Sequence, residues 1–147
     1  MKIKHFTAKD VDHVFDNLWP RGQEELLIMG STVEKARAKF KSMVEKPWAT
    51  GFYHGEECFA LIIMEPISDM KWRTSFVATE EGFKAHWFGL TKHLRKASDF
   101  IISTLSGGRG EIELETSSDS DYNWFNSLGF KLLGTDGFID KYLKKAA

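Results

Sequence analysis

One short segment near the end of the chain, Trp124 to Phe130, constrains the fold more than any other. Its sequence, Trp-Phe-Asn-Ser-Leu-Gly-Phe, is typical of a short amphipathic helix that ends at a glycine and passes directly into a strand. The residue after the last helical turn commonly has a positive φ, which is costly for a residue with a Cβ, so Gly129 is the expected end of this helix. The strand that follows, Phe130 to Leu133, would hold the helix against a sheet.

The spacing of apolar residues predicts the remaining elements. Helices are expected over residues 7–18, 22–29, 31–44, 84–105 and 120–128, and strands over 3–6, 48–53, 58–64, 72–78, 111–116, 130–133 and 138–143. The principal order is β, α, α, β, β, β, α, β, α, β, β, with no repeat and no linker. This predicts an α+β fold in one domain, residues 1–147, with a mixed central sheet of about six to seven strands flanked by about four helices.

Composition excludes several classes of partner. Twenty basic and 21 acidic residues give a net charge of −1, which argues against nucleic acid or an anionic membrane as the main partner. No apolar run is long enough to cross a bilayer, and no secretory signal is visible at the start of the chain. The single cysteine, Cys58, fits a reducing compartment, so a cytoplasmic protein is expected. The five histidines form no helical i,i+4 pair with a nearby acid, so no metal site is expected.

The segment Trp124–Phe130 resembles the signature aromatic-Tyr-x-x-x-Gly-Phe of the GNAT superfamily, the acyl-CoA-dependent N-acyltransferases. The predicted element order is similar to that superfamily over essentially the whole chain. The resemblance implies a GNAT-like fold, acetyl-CoA as the acyl donor, and an N-acetyltransferase that acts on an amine of a small molecule or a protein. Phe125 stands where the superfamily usually has a tyrosine.

The resemblance also implies a cofactor site. In the superfamily a loop of pattern Gln/Arg-x-x-Gly-x-Gly/Ala brings backbone N–H groups to the pyrophosphate at a helix N-terminus. The equivalent segment here is Lys84 to Gly89, in which Lys84 stands for the Gln/Arg, Gly89 for the last glycine, and Trp87 replaces the first glycine. The implied cofactor contacts are Val77, Ala78, Lys84, Ala85, Trp87, Gly89, Leu90 and Phe125. The alternative for Gly89 is a glycine required for helix packing.

Acyl transfer to an amine needs a base for the ammonium and benefits from an acid for the leaving thiolate. The resemblance places the acid at Phe125, which has no proton to donate, so Tyr122, three residues earlier, is the candidate. The candidates for the base are the acidic residues near the expected cleft: Glu80, Glu81, Glu113 and Glu115. Of these, Glu115 is preferred. Each assignment has an alternative that stays open. Tyr122 would only pack at the end of the helix, and the acids of residues 111–115 would only form a solvated face of the sheet.

Two further segments resemble an acetyltransferase-like branch found among virion-associated proteins of podoviruses. One contains Arg21 and Glu24, and the other is the run SFVATEEGFKAHWFGLTKHLRK, where a strand passes into a basic helix without a glycine loop. This branch implies the alternative function: a catalytically inactive structural or interaction protein, located inside a phage particle, with a homodimer or another protein as its partner.

Overall fold

The computed structural model of the protein describes residues 1–28, 30–117 and 124–146. The helices are α1 (Ala8–Asp16), α2 (Pro20–Ile28), α3 (Val33–Ser42), α4 (Glu80–Phe100) and α5 (Trp124–Ser127), and a π-helical turn, Ile101–Leu105, extends α4. The strands are β1 (Lys2–Lys4), β2 (Ala49–His54), β3 (Glu57–Ser68), β4 (Lys71–Ala78), β5 (Glu111–Ser117), β6 (Lys131–Asp136) and β7 (Ile139–Lys145). In the described part of the chain, no helix is both long and apolar enough to span a membrane.

The strands form one mixed sheet in the order β1-β2-β3-β4-β5-β7-β6. The ladder between β4 and β5 is parallel and joins Lys71–Arg73 to Glu111–Glu113. Four ladders, β1 with β2, β2 with β3, β5 with β7 and β6 with β7, are antiparallel. The prediction of an α+β fold with a mixed sheet of six to seven strands is confirmed.

The chain divides into two compact units, of which the first contains Met1–Ile63 and Ser75–Trp87. Its core is built around Phe40, whose ring lies 6.2 Å from that of Phe6 and 5.6 Å from that of Phe15. A capping box begins α1, since the Thr7 hydroxyl accepts from the Asp10 N–H and the Asp10 carboxylate accepts from the Thr7 N–H. Phe15 of α1 and Phe40 of α3 belong to one buried cluster with Leu61 of β3, so these helices pack on this part of the sheet.

The second unit contains Met64–Thr74 and Phe88–Ala147. Its buried apolar residues, among those described, come from β3, α4, the π-helical turn, β5 and the α5–β6 connection: Met64, Leu90, Leu94, Ile102, Ile112, Leu114, Leu128 and Phe130. Gly129 has a φ of 95°, so it ends α5 in the left-handed conformation that the sequence predicts.

Three predicted boundaries are wrong, each for a local reason. Pro66 lies inside β3 rather than ending it, and the strand is exposed from that residue to Ser68, where a missing donor costs little. Pro20, two residues before the predicted start, begins α2, a position that suits its fixed φ. Helix α4 begins at Glu80, four residues before the predicted start.

Candidate functional site

The junction between β4 and α4, in the first unit, is where the resemblance places the pyrophosphate. Only Thr79 connects Ala78, the last residue of β4, to Glu80, the first of α4. The Thr79 N–H donates to the Phe59 carbonyl at 2.9 Å, its hydroxyl accepts from the Gly82 N–H at 3.2 Å, and its carbonyl accepts from the Phe83 N–H at 3.0 Å. Thr79 therefore caps the helix itself and uses one donor, the Gly82 N–H, that a phosphate would otherwise bind.

The first turn of α4 also carries the wrong charge for an anion. Glu80 and Glu81 both lie in this turn, where their carboxylates interact favourably with the positive end of the helix dipole. The Lys84 ammonium lies 2.7 Å from a Glu80 carboxylate oxygen, so this cation is already engaged by an acid of its own helix. A diphosphate at this position would meet two carboxylates.

The segment that the resemblance equates with the phosphate loop, Lys84 to Gly89, lies inside α4. Because Thr79 caps the helix five residues earlier, the backbone N–H groups of Lys84, Ala85, Trp87 and Gly89 belong to the interior of the helix. Leu90, the last residue of this set, is fully buried. The glycine that the junction needs is Gly82, where a Cβ would lie 2.3 Å from Phe59 Cβ.

Val77 and Ala78 are buried at the end of β4. The Ala78 carbonyl accepts from the Trp19 N–H at 3.1 Å, and Leu18 forms an isolated antiparallel bridge with Thr79. In the Ala78–Thr79 peptide the N–H points to Phe59 of β3, so the carbonyl points to the opposite edge of β4. The connection between α1 and α2 therefore occupies the backbone acceptor of Ala78, one of the cofactor contacts that the resemblance implies.

Phe125, in the second unit, lies in an aromatic cluster. Its ring centroid is 5.5 Å from that of Trp124 and 5.4 Å from that of Tyr142. The Trp124 indole N–H donates to the Thr91 hydroxyl at 2.6 Å, which holds α5 on α4. Tyr142 is the phenol that the structure places beside Phe125, and burial, together with the charge of Asp140, raises its pKa. Sequence analysis did not identify Tyr142, because it is one residue of an ordinary alternating strand.

Tyr122, the candidate acid, lies outside the described residues.

The candidate bases of the second unit lie on β5, and each has a cation beside it. The Glu113 carboxylate lies 2.8 Å from Arg73 Nε and 3.2 Å from Lys71 Nζ. Partial burial acts to raise the pKa of Glu113, but the hydrogen bonds from Arg73 and Lys71 outweigh it and hold that pKa below its ordinary value. Glu115 lies 3.9 Å from Lys141 Nζ. Glu113 is thus a paired carboxylate that resists protonation, which is unfavourable for a general base at neutral pH.

Two basic side chains that sequence analysis missed hold the end of α5. Arg95 donates to the Ser127 carbonyl through Nε at 2.9 Å, and Lys144 donates to the Leu128 carbonyl through Nζ at 2.7 Å. Lys144 is only 6% exposed, although it belongs to a charged stretch at the end of β7. Cations at the C-terminus of a helix satisfy its last carbonyls, so these residues position the aromatic cluster.

No protein-family profile matches the sequence, and no curated protein matches it. Solved structures are similar over almost the whole chain. The PaiA N-acetyltransferase from Thermoplasma acidophilum, solved in complex with coenzyme A, has a TM-score of 0.72 and 16% identity, with coverage of 98% of this chain and 98% of its own. The acetyltransferase (GNAT family) from Bacillus anthracis has a TM-score of 0.67 and 11% identity, with coverage of 96% and 90%. An aminoglycoside 6'-acetyltransferase type Ii has a TM-score of 0.60 and 16% identity, with coverage of 99% and 97%.

This chain has the GNAT acetyltransferase fold. The fold predicted from the resemblance is therefore confirmed, although sequence identity to these structures is low. At the β4–α4 junction, Thr79 engages one donor of the first turn, the Gly82 N–H, and Glu80 and Glu81 supply negative charge at the helix end.

Proposed function

We propose that this chain is a catalytically inactive protein with the acetyltransferase fold, which acts by binding a protein partner. The observation that carries this proposal is the one-residue connection at Thr79, followed by Glu80 and Glu81. A phosphate-binding helix N-terminus needs unpaired N–H groups and a positive end. In this junction the capping threonine uses one of these donors, the Gly82 N–H, and the two acids offset the positive charge of the helix end.

Three other observations support the same proposal. The Ala78 carbonyl is hydrogen-bonded to the Trp19 N–H, and a cofactor arm would have to displace that contact. Phe125, at the position that the resemblance assigns to the acid, cannot donate a proton. Glu113 is held ionised by Arg73. The resemblance to the podoviral branch makes the interior of a phage particle our proposed location.

The second candidate is an acetyl-CoA-dependent N-acetyltransferase, for which a cytoplasmic location is proposed. It is favoured by the likeness to PaiA, a structure with coenzyme A, over 98% of this chain. In this candidate Tyr122 is the acid and Glu115 the base, and acetyl-CoA is bound near Val77 and Ala78. The acceptor would be an amine of a small molecule, as the name of the aminoglycoside 6'-acetyltransferase indicates for that protein, or an amine of a protein.

An acetyl-transfer assay distinguishes the two candidates. The purified chain is incubated with acetyl-CoA and a panel of aminoglycosides, polyamines and lysine peptides, and the free thiol of released CoA is measured. We expect the rate to equal that of the mixture without protein. Turnover that falls in Tyr122→Phe or Glu115→Gln, but not in Glu111→Gln on the same strand, would overturn the first proposal and support the second.

A further inference from the structure

Two histidine side chains from different elements lie beside each other in the first unit. His54 is the last residue of β2, at the hairpin turn, where it pairs with Glu57 of β3. His86 belongs to α4. The centroids of the two imidazole rings are 5.1 Å apart, and the ring planes are inclined by 37°. His54 is exposed and His86 is half-buried, so solvent reaches both rings.

Phe59 of β3 holds the His86 ring in this position. The two rings are stacked, with centroids 4.8 Å apart and planes inclined by 24°. Phe59 also lies so close to α4 at Gly82 that an added Cβ there would be 2.3 Å from Phe59 Cβ. Helix α4 therefore contacts Phe59 at two points one turn apart, which keeps His86 next to His54. A ligand that packing already holds in place loses little freedom when an ion binds.

The separation of the two rings suits a single metal ion. Imidazole nitrogen is a preferred ligand of Zn²⁺, Cu²⁺ and Ni²⁺, and Zn–N bonds are about 2.0–2.1 Å long. Two imidazoles on one tetrahedral ion therefore have ring centres about 5 Å apart. Only the neutral ring binds a metal. Burial, followed by the charge of His54, lowers the pKa of His86, which keeps that ring neutral near neutral pH.

We propose that His54 and His86 bind one divalent transition-metal ion of the kind that imidazole prefers, with zinc as its representative. The ion joins the β2–β3 hairpin to α4. Within the part of the chain that the structure describes, no group of three or more His, Cys, Asp or Glu side chains suits a metal ion. Water therefore fills the other coordination positions. Half the protein ligands of a closed four-ligand site predict a dissociation constant on the order of 10 μM.

Spacing along the sequence does not indicate this site. A metal site on one helix has its ligands at i and i+4, and the lack of such a pair among the histidines is the reason that no metal site is expected. That rule does not apply to ligands from two elements. His54 and His86 become neighbours only when the hairpin and α4 pack around Phe59.

Calorimetric titration of the untagged full chain with ZnCl₂, without acetyl-CoA, tests this proposal. We expect one ion per chain. MgCl₂ is the comparison salt and should give no binding, because Mg²⁺ prefers oxygen ligands. His54→Gln should raise the dissociation constant for zinc at least about tenfold, since it removes one of two protein ligands. His86→Phe keeps a ring on Phe59 and should have the same effect. His93→Gln, on the same helix but outside the pair, is the control and should leave the constant unchanged.

A wild-type chain that binds no zinc up to about 1 mM would overturn the proposal. Zinc binding that is unchanged in both His54→Gln and His86→Phe would also overturn it, because other residues would then hold the ion. Mg²⁺ binding of similar affinity would do the same, since it would indicate carboxylate ligands. Circular dichroism checks that each variant is folded, and His54, which is exposed, can be replaced without disturbing the core. The result is independent of the proposed function, since neither candidate function uses this ion.

Discussion

Replacing Lys144 by methionine tests whether a buried cation holds α5 in place. The Lys144 ammonium donates to the Leu128 carbonyl and the Ser98 hydroxyl, both at 2.7 Å, and lies 2.8 Å from Asp99. Methionine has a similar length but no donor, so the Leu128 carbonyl loses its bond from Nζ at a cost of about 1–3 kcal/mol. Ser98 still donates to the Arg95 carbonyl, which limits its loss to about 1 kcal/mol.

The Asp99 side chain is 61% exposed, and water replaces its lost partner at little cost. Removing the desolvation cost of the buried ammonium offsets part of the loss. We therefore expect Lys144→Met to lower the free energy of unfolding by about 2 kcal/mol, which for a chain of 147 residues corresponds to a decrease of about 4–8 °C in Tm.

Urea denaturation followed by tryptophan fluorescence measures this change. The control is Lys145→Met, the same substitution at the adjacent exposed residue, for which we expect a change within about 0.5 kcal/mol. A double-mutant cycle with Ser98→Ala should give a coupling of about 1 kcal/mol between Ser98 and Lys144. If Lys144→Met is as stable as the control, or if the coupling is zero, the ammonium does not fix this part of the fold.

Two further predictions concern the junction and the charged face of β5. Gly82→Ala should lower the free energy of unfolding by about 1–3 kcal/mol, because the added Cβ would collide with Phe59. Gly22→Ala is the control: its added Cβ has room in α2, so the variant should be as stable as wild type or more stable. Equal midpoints of urea unfolding for the two variants would refute this contrast. Because the pKa of Glu113 is lowered in the folded state, its ionised form stabilises the protein above the unfolded pKa of about 4.3, and this stability is lost as the pH falls. The destabilisation by Arg73→Ala should therefore be about 1 kcal/mol near neutral pH and shrink as the pH falls through the folded-state pKa of Glu113. A pH-independent difference between wild type and Arg73→Ala would contradict this assignment.

The fold could be predicted because its main signals are local. Helix α1 follows from the periodic apolar residues after Thr7, and its capping box needs only Thr7 and Asp10. Gly129 ends α5 because a positive φ is required at that position, and this requirement is visible in the sequence. The resemblance of Trp124–Phe130 and of the element order to the GNAT superfamily predicted the complete fold from these local signals. The solved structures confirm that fold.

The start of α4 could not be placed from the resemblance, because the resemblance requires a loop where this chain has a cap. The run Thr79-Glu80-Glu81-Gly82 has the features of a helix N-terminus: a threonine that caps and acids in the first turn. The same residues also suit a polar turn. The contact between Gly82 and Phe59, which decides between the two, joins residues that are distant in sequence.

The buried position of Lys144 could not be predicted for a related reason. A lysine at the end of an alternating strand normally faces solvent. Its partners are 16 and 46 residues away in the chain, at the end of α5 and on α4. The pairing of Glu113 with Arg73, 40 residues away, is likewise a product of the sheet. Local pattern identifies the charged residues, and only the assembled sheet identifies their partners.

Calorimetric titration of the wild-type chain with acetyl-CoA, with free CoA as a comparison, tests the central claim most directly. The capped and acidic N-terminus of α4 predicts no heat of binding and no thermal stabilisation at about millimolar ligand. Saturable binding with a dissociation constant on the order of micromolar would contradict the claim, because Thr79, Glu80 and Glu81 would then not prevent a diphosphate from binding to this fold.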